Sequence, residues 1–407
     1  MNAPRPYVPH AGRHPSGNAQ RQDWRHEIKI WWREIDRVLL LLVALLMAIG
    51  TAAVAAASPA SADRLSTASV QLDEFMFFKQ HLVWQVMGLG AMFGASILSR
   101  EDARRAGVLL AGAMLFMLML VPLIGNEVNG STRWINLGIR FQPSEFLKPG
   151  FAILLAWVLT WRLRDPNLPV LPVVTAVMGL VAILLMLQPN LGDTLLFGGV
   201  WFVLILLSGI SVQRVSALVG FGVAALTATY FLYDNARYRI DSFLGGGTAF
   251  DQVDLAERTL LAGGWTGSGL WLGVRKMNLP EAHTDYIFSV IGEEFGLLVC
   301  AIVVLLYLAI VVRVLVRLAD EDNLFVLLAG AGLVTQIGGQ AFINILVNLQ
   351  LFPSKGMTLP LVSYGGSSTI AVCLTLGLLL AITRRNPYLQ RETPGLMAML
   401  GQKEEAA

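Results

Sequence analysis

The stretch VLLLLVALLMAIGTAAVAAA, residues 38–57, carries no charged side chain from end to end. A helix of about 20 such residues spans a hydrocarbon core of about 30 Å, so the segment reads as a membrane crossing. Outward from it, apolar runs of similar kind recur at 82–99, 106–124, 145–161 and 170–187. Five more follow at 191–209, 212–232, 286–312, 324–350 and 361–383. The fold expected is therefore all-α and polytopic, with about ten transmembrane helices between residues 38 and 385. Composition agrees: of 407 residues 55% are apolar and only 14% charged, whereas soluble domains carry about 25% charged residues. No nucleic-acid partner is expected. Cys300 and Cys373 both sit inside apolar runs and read as small core residues.

Residues 1–37 are polar and rich in Pro, Gly and Arg, which suggests a disordered tail followed by a retained first helix. Within it WRHEIKIWW, Trp24 to Trp32, fits either a short basic segment lying along the membrane surface or plain juxtamembrane tail. With the N-terminus inside, 19 of the 30 Lys and Arg residues fall on the cytoplasmic face. The positive-inside rule thus favours both termini in the cytoplasm, including a C-terminal tail at 386–407. Two outer segments are too long for simple turns: 125–144, and a loop at 233–285. Long connections in compact proteins are often functional.

Three motifs concentrate polar residues on the outer face. In NGSTRWINLGIRFQPSEFLKP, Asn129 to Pro149, Pro143 and Ser144 suit a helix start. Glu145 and Lys148 stand three apart, close enough to pair on one helical face. They fit a membrane-edge ion pair or, because charges entering a span usually face a pathway, a functional site. Arg133 offers a planar fork for phosphate oxygens, and Trp134 suits either substrate contact or an interfacial anchor. In LPEAHTDYIFSVIGEEFG, Leu279 to Gly296, the titratable residues Glu281, His283 and Asp285 approach the membrane together, with Glu293 and Glu294 farther along. Asp285 fits a helix N-cap or a carboxylate whose desolvation suits it to take a proton from a hydroxyl. As metal ligands His283 and its neighbours lack a closing partner. In NILVNLQLFPSKGMTLPLVSYGGSS, Asn344 to Ser368, the only charge is Lys355, and Ser363 and Tyr364 bring hydroxyls toward membrane depth. Broken backbone there requires protein or water to satisfy it. Lys355 fits a phosphate contact or a snorkelling side chain. Carboxylates, cations and an apolar groove on one face suit a lipid-linked phosphate substrate.

At these three motifs the chain strongly resembles the SEDS family, the shape, elongation, division and sporulation proteins of bacterial cell-wall synthesis. FPSKGMTLPLVSYGGSS and the polar N-terminal extension resemble the division members more than the elongation members. Ser354 stands where Thr is common in the family, and Trp271 and Leu272 fill a glycine-rich stretch where smaller or more polar residues are expected. The resemblance implies a peptidoglycan glycosyltransferase that polymerises lipid II at the outer face of the cytoplasmic membrane, at the division septum. It implies inversion at the anomeric carbon and release of undecaprenyl pyrophosphate. Asp285 falls on the Asp of the family's HTD sequence and takes the role of general base. Arg133, Lys148 and Lys355 would stabilise the leaving pyrophosphate, and Trp134, Glu145, Glu281, His283, Ser363 and Tyr364 complete the expected substrate contacts. No cofactor is specified, although a divalent cation is compatible with pyrophosphate chemistry. The expected partners are a class B penicillin-binding protein transpeptidase of the FtsI type and other division proteins.

Two other classes fit parts of the pattern. A lipid II flippase needs polar residues across the whole bilayer, and Glu293, Glu294 and Gln336 lie deep enough to serve one. A noncatalytic scaffold needs neither the carboxylate nor the cations.

Overall fold

The computed structural model describes residues 24–385 except 68–69, 129–130, 137, 139, 164, 166, 211, 233–236, 238–239, 242–244, 246–251 and 354–355. Of the expected disordered tail, residues 1–23 lie outside the described residues, as do 386–407 at the other end. The remainder of the tail is not all irregular. Helix α1 runs from Trp24 to Glu34, followed by a buried Ile35. Trp31 explains why this short segment is held: its indole N–H donates to Ser96 Oγ at 3.1 Å, and its ring meets Phe93 edge-on. An amphipathic helix anchored by a Trp of this kind suits a membrane boundary.

The first seven expected crossings fall on helices α2 (Arg37–Leu65), α3 (Met76–Ser96), α4 (Arg100–Ile124), α5 (Pro143–Thr160), α6 (Val170–Met186), α7 (Leu191–Leu207) and α8 (Val212–Leu232). Side-chain caps start several of them. Asp36 accepts from the N–H groups of Val38 and Leu39 at 3.1 Å each, and Ser99 Oγ from Asp102 N at 3.1 Å. Pro143 opens α5 at a position where its missing N–H costs no hydrogen bond. Among the described residues, five helices are long and apolar enough to cross a membrane, and α6, α7 and one further helix are shorter apolar ones.

The eighth expected crossing, 286–312, is not one helix. Short α10 (Ile287–Phe295) ends at Gly296, and α11 (Leu297–Ala319) begins immediately after it. Gly296 has φ +87°, and a Cβ there would lie 2.4 Å from Gly267 N and from Trp265 O. Only glycine fits such a backbone at so close an approach. Upstream, the loop at 233–285 contains helix α9 (Gln252–Ala262). The last two expected crossings fall on α12 (Leu324–Asn348) and α13 (Gly366–Ile382).

The all-α expectation holds for the membrane body, with one addition at the end of it that carries Arg133. Within segment 125–144 three strands form a small antiparallel sheet in the order β1 (Asn126–Val128), β2 (Ser131–Asn136), β3 (Arg140–Phe141). Asn126 pairs with Trp134, and Asn136 with Arg140.

Burial separates inner from outer helices. In α12, 67% of the apolar window is covered by protein, against 22% in α4. Phe151 of α5 packs edge-on against Phe197 of α7 at 4.9 Å, and Cys300 and Cys373 are buried free thiols in the core. The inner helices α5, α12 and α13 thus carry polar residues away from lipid.

Candidate active site

Asp285 lies in the turn that leads into α10. The helix itself starts at Ile287 with Tyr286 as its cap residue, so Asp285 is not the N-cap considered from the sequence. The turn is tight: Glu281 has φ +51°, and its carbonyl accepts from Thr284 N at 3.1 Å and Tyr286 N at 3.2 Å. The Glu281 carboxylate is exposed and accepts from Thr284 Oγ1 at 2.9 Å.

The third motif lies along this turn. Tyr364 N donates to His283 O at 2.9 Å, and Ser363 Oγ donates to Thr284 O at 2.6 Å while accepting from Leu359 N at 2.7 Å. Ser363 is therefore a buried tie between two loops, and the Tyr364 hydroxyl donates to Gln80 Oε1. The His283 ring sits 4.2 Å from that of Phe77 and 5.3 Å from that of Tyr364. Burial pushes its pKa down to about 4, so it is a neutral ring at ordinary pH.

The first motif reaches the same place through β2. Arg133 donates from Nε to Gln188 O at 3.3 Å and from Nη2 to Pro189 O at 2.5 Å. These carbonyls sit in the turn between α6 and α7, in the sequence QPNLGD from Gln188 to Asp193, and they orient the guanidinium. A methyl group placed on Gly356 would stand 3.3 Å from Asp285 Oδ2 and 3.7 Å from Arg133 Nη1. The carboxylate and the guanidinium thus both lie close to Gly356, a residue with no side chain. Trp134, the next residue of β2, is half-buried, and strand alternation turns it to the other face. Lys355, adjacent to Gly356 in sequence, lies outside the described residues.

Glu145 and Lys148 form the expected pair, at 2.7 Å, but the pair is buried and turned to other protein groups. Lys148 is 3% exposed, and its ammonium also meets Asp193 Oδ1 at 3.2 Å and Gln340 Oε1 at 3.1 Å. Asp193 in turn accepts from Asn190 Nδ2 at 2.7 Å and Ser144 Oγ at 3.0 Å. All three N–H donors of Lys148 are thereby matched, as a buried ion network requires.

Glu293 and Glu294 serve the long loop and do not line a path across the bilayer. Glu293 accepts from Arg275 N at 2.6 Å and Lys276 N at 2.9 Å. Glu294 accepts from Gly273 N at 3.2 Å, from Trp271 N and from the Lys276 ammonium. Trp271, unexpected in a glycine-rich stretch, takes φ +65° and lays its ring edge-on to Phe75. Its indole N–H donates to Ala55 O at 3.2 Å.

Of an amide series on α12 the sequence singles out only Gln336. Gln336, Gln340, Asn344 and Asn348 recur every four residues and are at most 4% exposed. Gln340 Nε2 donates to Thr358 O at 3.0 Å. Asn344 Nδ2 donates to both Asp285 O, at 2.8 Å, and Met357 O, at 2.7 Å. Asn348 Nδ2 donates to Asp285 O at 3.1 Å, and its Oδ1 accepts from Ser289 Oγ at 2.7 Å. The signal was present: four amides at one-turn spacing inside an apolar helix mark a face turned to protein. Among the described residues no three His, Cys, Asp or Glu side chains gather as a metal site.

Comparison with known proteins places this geometry in context. The profile of the cell cycle proteins FtsW, RodA and SpoVE matches residues 36–388. The chain is 35% identical to a probable peptidoglycan glycosyltransferase FtsW of Caulobacter vibrioides, over 89% of this chain and 93% of the relative. It is 36% identical to the corresponding Methylococcus capsulatus protein, over 86% and 89%. Among solved structures, one chain comes from work on structural coordination of polymerization and crosslinking by a peptidoglycan synthase complex. It superposes with a TM-score of 0.68 at 28% identity, covering 86% of this chain and 97% of that one. The rod shape determining protein RodA of Thermus thermophilus gives 0.63 at 28%, covering 89% and 99%. The chain therefore belongs to the FtsW/RodA/SpoVE family, the SEDS proteins, as a multi-pass membrane protein and an FtsW-like peptidoglycan glycosyltransferase of cell division.

Proposed function

We propose that the space over Gly356 is where lipid II is polymerised, with Asp285 as general base and inversion at the anomeric carbon. The carbonyl-oriented Arg133 and the carboxylate of Asp285 bordering one side-chain-free position is the observation that carries this reading. Asp285 takes the proton from the 4-hydroxyl of the acceptor GlcNAc as that oxygen bonds to the anomeric carbon of the growing strand. The bond from this carbon to the pyrophosphate breaks, the α-linked donor becomes a β-1,4 linkage, and undecaprenyl pyrophosphate leaves with the electron pair. Arg133 stabilises the charge developing on it, joined by Lys355 on the strength of its motif. Lys148 acts at one remove, by holding Glu145 and Asp193 in the buried network.

The active site opens on the periplasmic side of the cytoplasmic membrane at the septum, and both termini are cytoplasmic. The partner is a class B penicillin-binding protein of the FtsI type, which supplies crosslinking. Support comes from the solved neighbour, in which polymerization and crosslinking are coordinated within one complex.

The test is glycan synthesis by the purified full chain with its transpeptidase partner in detergent, using fluorescent lipid II and resolving products by size. A positioned base contributes roughly 10²- to 10⁴-fold in rate. Asp285→Asn is expected to lose that factor while remaining folded; near-normal ladders from Asp285→Asn would end the base assignment.

A further inference from the structure

The amide of Asn344 bridges two segments that approach from different parts of the chain. One N–H holds the carbonyl of Asp285, and the other holds the carbonyl of Met357, the residue after Gly356. Both distances are short, 2.8 and 2.7 Å, and Asn344 is 3% exposed. The turn bearing the carboxylate and the loop bearing the side-chain-free position are thus bridged directly by one planar group on α12. Asn348, one turn farther along, repeats the hold on Asp285 O and is itself fixed by Ser289. One turn back, Gln340 holds Thr358 O with its amide nitrogen while its oxygen accepts from Lys148. The series ties the buried ion network, the 357–358 segment and the Asp285 turn to a single face of α12.

We propose that Asn344 is a positioning residue of the glycosyl transfer, setting Asp285 against the substrate space over Gly356 without touching substrate. The proposal rests on Asp285 being the base. Displacing a reacting group by about 1 Å can cost about 100-fold in rate, and loss of positioning falls on turnover more than on binding.

The experiment compares Asn344→Ala, Asp285→Asn and the double variant in the lipid II assay with the partner present, with melting temperature as a check on folding. Asn344→Ala is expected to lower kcat by about 10- to 100-fold with KM within about twofold. Because Asn344 acts through Asp285, adding Asn344→Ala to Asp285→Asn should cost no further rate. An unchanged kcat, or a loss that multiplies with that of Asp285→Asn, overturns the inference while leaving the base assignment intact. A fully active Asp285→Asn variant instead overturns the base assignment, and the inference with it. If Asn344→Ala does not fold, Asn348→Ala is judged by the same criteria, with a smaller loss expected from its longer 3.1 Å contact.

Discussion

His283 lies between Phe77 and Tyr364 with its backbone carbonyl tied to Tyr364 N. Burial lowers its pKa from 6.5 to about 4. Between those values the unfolded chain binds a proton that the folded chain does not, so stability falls as pH drops through that window. From pH 7 to pH 5 this one residue should cost about 2 kcal/mol. The melting temperature of the detergent-solubilised protein is expected to fall over that range, and His283→Phe should flatten the fall; equal slopes in both proteins would refute the assignment. The HTD stretch announced that a carboxylate and an imidazole arrive together at the membrane edge. Sequence distance concealed what separates their roles. Phe77 lies some 200 positions before His283 in the chain, and packing against it makes the imidazole a neutral support. Glu145 and Lys148 were legible as a pair because helical spacing is local; Asp193 and Gln340, which close the network, come from other helices.

At the scale of elements, the outer loop is held by a helix that hydropathy alone does not reveal. The residues on both sides of Gly296 are apolar, so the eighth crossing reads as continuous, and the break depends on Gly267 and Trp265 approaching that glycine. Short α10 then presents Glu293 and Glu294 to the 271–276 segment. Lys276 and Glu294 are 3% and 1% exposed and paired. Removing one partner of a buried pair strands the other and typically costs about 3–5 kcal/mol. Glu294→Ala should therefore lower the melting temperature and speed hydrogen exchange at 264–276, whereas Glu294→Ala combined with Lys276→Met should recover much of the stability. Unchanged exchange in the single variant would show that the loop is held by other contacts. The small sheet at 126–141 was likewise hidden, its strands being only two to six residues long. Its use is plain in the structure, since β2 delivers Arg133 to the turn after α6.

Across the whole molecule, the two ends of the helical body differ in charge. At one end Asp36 accepts from Arg313 and Arg317, each at 2.9 Å, Arg384 meets Glu34 at 3.4 Å, and Arg100 reaches Glu321 at 3.8 Å. At the other, Asp285, Arg133 and the starts of α5, α7 and α13 converge. Chain direction agrees: α2 leaves the basic end, α11 returns to it, and α12 leads from it to Asn344 and Asn348 beside Asp285. This much was open to sequence reasoning, because apolar length and the placement of Lys and Arg are sums over many residues and tolerate errors at any one. The positive-inside rule favours the basic end in the cytoplasm, and the proposed glycosyl transfer then lies outside. Both native cysteines are buried, Cys300 at 4% and Cys373 at 0% exposure, so an introduced thiol reports on topology with little background. Asn278→Cys, in the exposed loop near the site, should react with a membrane-impermeant maleimide applied to spheroplasts. Asp322→Cys, at the basic end between α11 and α12, should react only after permeabilisation. The reverse pattern would place the site in the cytoplasm, where septal glycan strands are not assembled, and would overturn the proposed orientation.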